Sequence, residues 1–548
     1  MVALLLAAGL LDLVLIAPND PAATTWSALR LIPLELPVIL AVLVALPARA
    51  GATLAIRGAL VAVLVALTLL KAADMGTFLA YGRPFTPVAD LHLVAAGWHL
   101  AVTTLGPWQA TGLAAGGLAA VAALAAALWA ATGLWARCDL PGLRGRAQLA
   151  PVLVALAAGA VAVAEIGQRR GAWTLPVPPP GAAFTANLAV DRVLTAQRTL
   201  ASLQAFEAAA AQDPFAGATG LFDRIGDRDV LLTFVESYGR ASFDVPFYAE
   251  RHRATLRAAE TRLTEAGLAM RSGWLTAPMV GGQSWLAHAS VGFGLWIPDQ
   301  TRYRALLASP RRSLFHLAHA SGFHTAAVMP AITYDWPEAR RMGFDTILTA
   351  TELGYEGTAF NWVTMPDQFT LSALERGLRQ ATPRGAPPPE VPLFAQVALI
   401  SSHAPWVPVP DLVSWDAVGD GRVFDAMAER GDPPETVWRD MDRVRAQYRK
   451  AVDYALRTVT AYAERTAESA PLMIVLGDHQ TGTRISMSDS FDVPVHVIGP
   501  PDLVARVAAW GWTEGLLPGP DVTPWTMDRF RDSFVAAFSS TGPTAALR

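Results

Sequence analysis

A chain of 548 residues is too long for one compact core, so at least two domains are expected. Hydrophobic residues make up 52% and charged residues 16%, and since a soluble domain carries roughly 25% charge, part of the chain is expected in lipid. The formal net charge of −4 argues against a dedicated nucleic-acid binder, and the single cysteine, Cys138, excludes an intrachain disulfide and a cysteine-rich zinc site.

Apolar runs crowd into the first third. Membrane spans are expected at 2–17, 31–48, 55–72, 111–134 and 149–166, measured against the about 17–25 apolar residues that a bilayer core requires. The fourth run meets that length and the others sit at its short end. A signal peptide is the alternative for the first run, but no basic segment precedes it and further apolar runs follow. Arg49 and Arg57 lie between spans two and three, and Arg137, Arg144 and Arg146 between four and five. The opposite loops carry Arg30, Lys71 and Arg83. This bias places the N-terminus inside and everything after the fifth span outside. Residues 75–110 mix aromatics, proline and charge, and read either as an interfacial amphipathic stretch or as an exposed loop.

After Ile166 the character changes. Gln168-Arg169-Arg170 is a polar stop, PVPPPG at 176–181 is a stiff linker, and an Ala-rich helical stretch follows to about 213. From 228 onward short β-type runs alternate with helical ones, the pattern of an α/β domain. The expected division is a membrane domain over 1–170, a linker and juxtamembrane helix over 171–227, and a catalytic domain over 228–548.

Four apolar runs read as buried strands: 229–237, 324–330, 392–403 and 471–479. Three end in residues with metal or phosphate chemistry, namely Glu236, His403, and Asp478 with His479. In open α/β sheets ligands bind beyond the carboxyl ends of the strands, so these distant positions are expected to converge. Two carboxylates and an imidazole suit a borderline divalent cation such as manganese or zinc. A lone Glu after a strand is more often a cap or a solvated residue; an adjacent Asp-His after an apolar strand and a glycine is rarer. Between the first two runs, Gly281-Gly282 permits close backbone approach and Ser284 follows at 284. A serine opening a helix places its hydroxyl beside free N–H groups, where a phosphate binds, and a metal would make it a nucleophile. A plain helix cap is the alternative. His403 could contact a phosphoryl oxygen or protonate a leaving group, or be a hydrogen-bonded structural histidine. Arg240 could steady a phosphate or make a surface ion pair. The histidines at 288, 316, 319, 324 and 496 are assigned to packing or surface roles.

At ES-Y-GR (236–240), GGQS (281–284), SSHAP (401–405) and GDH (477–479), the sequence resembles the membrane-bound lipoteichoic acid synthase/phosphoglycerol transferase branch of the alkaline phosphatase superfamily. The resemblance covers about 228–500 by ordered motifs and the first third by topology alone. It implies a helical membrane domain of about five spans and an external α/β domain with a central, mostly parallel sheet sandwiched by helices. It also implies one catalytic divalent metal, manganese before zinc or magnesium, held by Glu236, Ser284, Asp478 and His479, with Ser284 as nucleophile and His403 near the transferred phosphate. Trp336 falls where relatives carry Trp-Asn-Arg; here the run is Trp336-Pro337-Glu338, with Arg340 and Arg341 close by, and this departure bears on the head group. Trp362 and Asp367 look like a further family segment on the substrate side.

The expected function is transfer of a phosphoryl-linked head group, phosphoglycerol-like, from a membrane phospholipid to an envelope glycan or lipid through a phospho-serine. The setting implied is a bacterial inner membrane with the catalytic domain outside. Alternatives are a phosphoethanolamine transferase, a phosphodiesterase or other hydrolase of the same superfamily, and a non-catalytic lipid-sensing membrane protein. Sulfatase maturation is not expected, because Ser284 is followed by Trp-Leu-Ala-His.

Overall fold

The structure, a computed structural model, describes residues 1–541 except 27, 48–49, 82, 139–148, 178 and 381–390. Arg49, Arg144 and Arg146, counted above for topology, lie outside the described residues. The chain forms two compact units, Met1–Leu203 and Gln204–Arg548, divided within the segment expected to be a linker.

The first unit is helical: α1 (Val2–Ile16), α2 (Glu35–Ala45), α3 (Gly51–Tyr81), α4 (His92–Leu105), α5 (Pro107–Ala136), α6 (Leu149–Arg169) and the start of α7 (Phe184–Ala210). Helices α3, α5 and α6 are long and apolar enough to cross a membrane. Helices α1 and α2, with 15 and 11 residues, reach only about 22 and 16 Å at 1.5 Å per residue, short of a core of about 30 Å. Five apolar helices therefore stand where five spans are expected, and three of them have full spanning length. The third is longer than its apolar run, because Lys71 and Asp74 are buried in the bundle rather than ending the helix. As a result 75–81 belongs to α3 and 107–110 to α5, and only the part between them forms separate short helices. Leu11 and Leu15 of α1, Val61 and Leu64 of α3, and Leu128 of α5 make the apolar contact at the centre.

The second unit is built on nine strands: β1 (Val230–Val235), β2 (Ala269–Thr276), β3 (His324–Met329), β4 (Thr346–Thr349), β5 (Leu393–Leu399), β6 (Leu472–Gly477), β7 (Asp492–Gly499), β8 (Thr513–Glu514) and β9 (Trp525–Thr526). Their order is β4-β3-β5-β1-β6-β7-β2-β8, with β9 beside β2. All pairings are parallel except those of β7 with β6 and β2, and of β8 with β2, so the sheet is mostly parallel. Alternation along β1 explains why its run is continuously apolar. Leu231 and Val235 face one core with α8 (Pro246–Glu265), α10 (Asp367–Leu374) and α11 (Met441–Arg465). Val230, Leu232 and Phe234 face a second core with α9 (Ser284–Phe293) and α12 (Met527–Phe538). The sheet is thus sandwiched by helices, as the family resemblance implies. Adjacent β1, β5 and β6 run in register, Val235 pairing with both Leu399 and Gly477, so their carboxyl ends finish at one level.

Candidate active site

Glu236 follows β1 directly, and Asp478 and His479 follow β6 directly. Since these strands are neighbours in register, one ligand atom from each of the three residues lies within 4.8 Å of the others. The approach requires Gly477, where a Cβ would meet the Tyr238 carbonyl oxygen at 1.8 Å. Asp478 Oδ1 accepts N–H bonds from Ser237 (2.8 Å) and His479 (2.7 Å), which fixes the carboxylate and leaves Oδ2 toward the cluster.

His479 is oriented from behind. Its Nδ1 lies 3.0 Å from the Gln480 carbonyl, which can only accept, so Nδ1 carries a proton and Nε2 is the ring nitrogen turned to the cluster. That Nε2 is buried with no hydrogen-bond partner among the described residues. It stands 3.4 Å from Glu236 Oε1 and 3.7 Å from Asp478 Oδ2. Donors held around one divalent ion by bonds of about 2.1 Å are spaced about 3.4 Å apart at a tetrahedral angle. An orphaned imidazole nitrogen facing two carboxylates at such spacings fits a divalent cation.

The electrostatics agree. Burial alone would raise the Glu236 carboxyl, but the facing His479 imidazole and the charge of His403 hold it well below the usual carboxylate range. Burial and the Glu236 charge push Asp478 up to about 7. Burial would lower His479, but the charges of Asp478 and Glu236 raise it to about 9. The ion-free cluster thus holds protons that a cation would displace.

Ser284 reaches this cluster through a strained turn. Gly281, Gly282 and Gln283 have φ of 80°, 138° and 65°, and Ser284 then opens α9. Main-chain contacts fasten the turn to the ligand loop: Gly281 N donates to Gln480 O at 2.8 Å, and Val280 bridges Gln480. Ser284 Oγ donates to Glu236 Oε2 at 3.3 Å. A second non-glycine residue in the left-handed region, Ser237 at φ 57°, lies beside Glu236. Non-glycine residues held in that region gather at functional sites, where the surroundings hold the strain.

His403 lies half-buried beyond β5, with Nδ1 donating to the Ala404 carbonyl at 2.6 Å, which leaves Nε2 available. The same turn holds Ser402, whose hydroxyl donates to the Glu236 carbonyl at 2.6 Å. Two residues escape a sequence reading of ligand types: Ser402 and Gln480 act on the site through backbone contacts. Their only signal was adjacency to the SSHAP and GDH motifs.

The structure brings together Glu236, Ser284, Asp478 and His479, with His403 nearby. The remaining candidates are placed differently. Asp367 is fully buried, so it has no surface to offer a substrate. Its Oδ1 accepts from Ile400 N and Ser401 N, both at 2.8 Å, and burial pushes its carboxyl up to about 6. It positions the turn that carries Ser402 and His403. Arg240 is committed to Asp244 (2.8 Å), Asp492 (3.0 Å) and the face of Trp274 (4.6 Å), which is the ion-pair reading rather than a phosphate contact. Trp336 is half-buried against Phe344, while Arg340 and Trp362 stand in solvent. None of these three makes a hydrogen bond to the cluster among the described contacts.

No profile of a known protein family matches the chain, and no curated protein matches it by sequence. Solved structures do show likenesses. The lipoteichoic acid synthase LtaP from Listeria monocytogenes is 14% identical, with 58% of this chain and 74% of that one aligned and a TM-score of 0.36. The C-terminal periplasmic domain of EcEptC from Escherichia coli is 13% identical over 57% of this chain and 82% of that one, at 0.36. The phosphoglycerol transferase GacH from Streptococcus pyogenes, in complex with sn-glycerol-1-phosphate, is 14% identical over 56% and 76%, at 0.34. These are distant likenesses.

Proposed function

We propose that this protein is a membrane-tethered, metal-dependent phosphotransferase that moves a phosphoryl-linked head group, phosphoglycerol-like, from a membrane phospholipid to an envelope glycan or lipid. The observation that carries the reading is the Ser284 hydroxyl, 3.3 Å from Glu236 at the start of a helix and beside an imidazole nitrogen left unpartnered. Glu236, Asp478, His479 and Ser284 would hold one divalent cation, manganese, zinc or magnesium by donor type. When bound, that cation supplies positive charge that acidifies a hydroxyl and neutralises phosphoryl oxygens.

The residues of the chain perform the rest. Glu236, kept ionised, accepts the hydrogen bond of Ser284 and directs its lone pair outward. Ser284 Oγ attacks phosphorus as its proton passes to Glu236 Oε2, the bond from phosphorus to the diacylglycerol oxygen breaks, and His403 donates a proton to that oxygen. A phospho-serine diester remains. An acceptor hydroxyl then gives its proton to His403 and attacks phosphorus, and Ser284 leaves, taking its proton back from Glu236. The first turn of α9 directs N–H groups at the transferred phosphate. Placement on the outer face of a bacterial inner membrane belongs to this proposal.

Ser284→Ala in the full chain tests it. Product lipids are measured by mass spectrometry in the presence and absence of acceptor. Release of diacylglycerol should vanish while the thermal midpoint stays put; unchanged release in that variant defeats the mechanism. Diacylglycerol formation independent of any acceptor would reassign the enzyme as a hydrolase. Absence of a bound divalent ion from the purified full chain would favour a lipid-sensing protein.

A further inference from the structure

The large apolar side chains that stand exposed on the α/β unit are not scattered. Among the described residues from 204 onward there are eight, and all lie on connections at the carboxyl ends of the parallel strands. Phe247 and Trp285 begin the helices that follow β1 and β2. Tyr334 follows β3, and Trp362 lies between β4 and α10. Two more, Val423 and Trp438, lie on the long connection after β5. Met487 and Phe491 lie between β6 and β7, and β7 enters the sheet at this same end because Asp492 pairs with Thr276, the last residue of β2. Tyr334 and Trp362 are the extreme cases, at 79% and 65% exposure. The opposite end of the sheet shows no such side chain among the described residues.

An apolar collar on one end of a unit, rich in tryptophan, tyrosine and phenylalanine, is the composition of a surface that meets the headgroup level of a bilayer. The same chain carries three helices of membrane-spanning length, so a lipid surface is always within its reach. Charge gives no pull toward anionic lipid: exposed Arg340, Arg341 and Arg484 on these connections are outweighed by exposed acids, among them Asp335, Asp489 and, after β5, Asp411, Asp420, Glu429 and Asp432. We infer that the catalytic end of the α/β unit docks on the lipid surface through this collar, by insertion of apolar side chains and without a requirement for anionic lipid. A phospholipid donor would then be met at the bilayer surface, with its phosphate at headgroup depth and its chains left in the membrane. In naming where the donor is met, the inference rests on the reading above; the docking itself does not.

The test reads position rather than turnover. Full-length protein carrying Cys138→Ser is given one reporter cysteine, Tyr334→Cys, Phe491→Cys or, at the other end of the sheet, Glu468→Cys. Each is labelled with an environment-sensitive dye and reconstituted in phosphatidylcholine vesicles containing a nitroxide-labelled phosphatidylcholine. Labels at 334 and 491 should be quenched at least twofold more than the label at 468, with little change between 0.05 and 0.5 M salt. Equal quenching at all three sites overturns the inference. Labels at 334 and 491 that escape the nitroxide yet are shielded from aqueous iodide would mean a protein partner or a second copy covers the collar, and also overturn it. A docked collar on an enzyme that releases no diacylglycerol would leave the docking standing and remove the proposed reaction.

Discussion

Each unit buries a cluster of ionisable side chains, and the two clusters are built to opposite ends. In the membrane unit Lys71 donates to Val14 O, Leu15 O and Thr185 Oγ1 at 3.0, 2.9 and 3.0 Å, which uses all three of its protons. Asp74 accepts from Asn19 and the Phe85 N–H at 2.8 and 2.9 Å and pairs with Arg192. The Lys71 ammonium and both Asp74 oxygens are thereby satisfied, and only Arg192 Nε in this cluster is left without a partner among the described residues. In the α/β unit His479 Nε2 is left open between two carboxylates. A closed buried network holds helices together; an open one awaits a ligand. The distinction lies in whether ligand atoms converge on the unfilled position, as Glu236, Asp478 and His479 do, not in the number of charges.

The largest expected effect lies in the open cluster. Ser284→Ala should lower turnover by a factor on the order of 10⁴ or more, the scale on which a lost nucleophile acts, and leave the thermal midpoint within a degree or two. A variant that unfolds instead would make the cluster structural and erase the contrast. Next comes the closed cluster. Asp74→Ala strands the Arg192 charge and should cost about 3–5 kcal/mol, the usual penalty for breaking a buried pair. It should be seen as a lower melting temperature in detergent with turnover per folded molecule unchanged. Equal losses of activity and stability there would mean that the two clusters do not divide the work.

A smaller effect is pH-dependent. Burial lowers His252 to about 4 and His496 to about 3. An unfolded chain binds these protons near pH 6.5, so between about 6.5 and 4 it takes up protons that the folded protein refuses. Stability therefore falls as pH falls, by about 1.4 kcal/mol per pH unit for each histidine. His252→Gln, which can still donate to the Arg449 carbonyl, should flatten that slope by one histidine's share. Denaturation midpoints measured from pH 7 to 5 read it, and an unaltered slope would refute the assignment. Smallest of all, Arg240→Ala should cost about 1 kcal/mol of stability through its half-screened pairs and the Trp274 contact, with the apparent KM within twofold of the parent. A tenfold rise in KM would return Arg240 to the phosphate.

The parts of this structure legible in the sequence are those where one requirement dominates. Strands β1, β3, β5 and β6 are buried on both faces and so are continuously apolar, and Glu236, Asp478 and His479 follow such runs directly. Strands β2 and β7 were not legible. Arg271 and Ser272 make β2 look polar, yet Ser272 is buried and bonded to His496 at 2.7 Å. Pro494 argues against a central strand in β7, although β7 lies between β6 and β2. The antiparallel reversal was hidden with them. Asp367 and Arg240 looked like substrate contacts because sequence shows residue type but not direction. Three-dimensional packing turned one inward onto a turn and paired the other with two acids.

The attachment of the Gly281 turn to Gln480 has one more consequence. Because this link between the two loops is peptide to peptide, it persists whichever side chain residue 284 carries. Exchanging the hydroxyl there for a thiol or a branched alcohol would alter reactivity while leaving the reacting atom's location intact. Chemistry at this site can therefore diverge by single substitutions without the surrounding architecture having to be rebuilt.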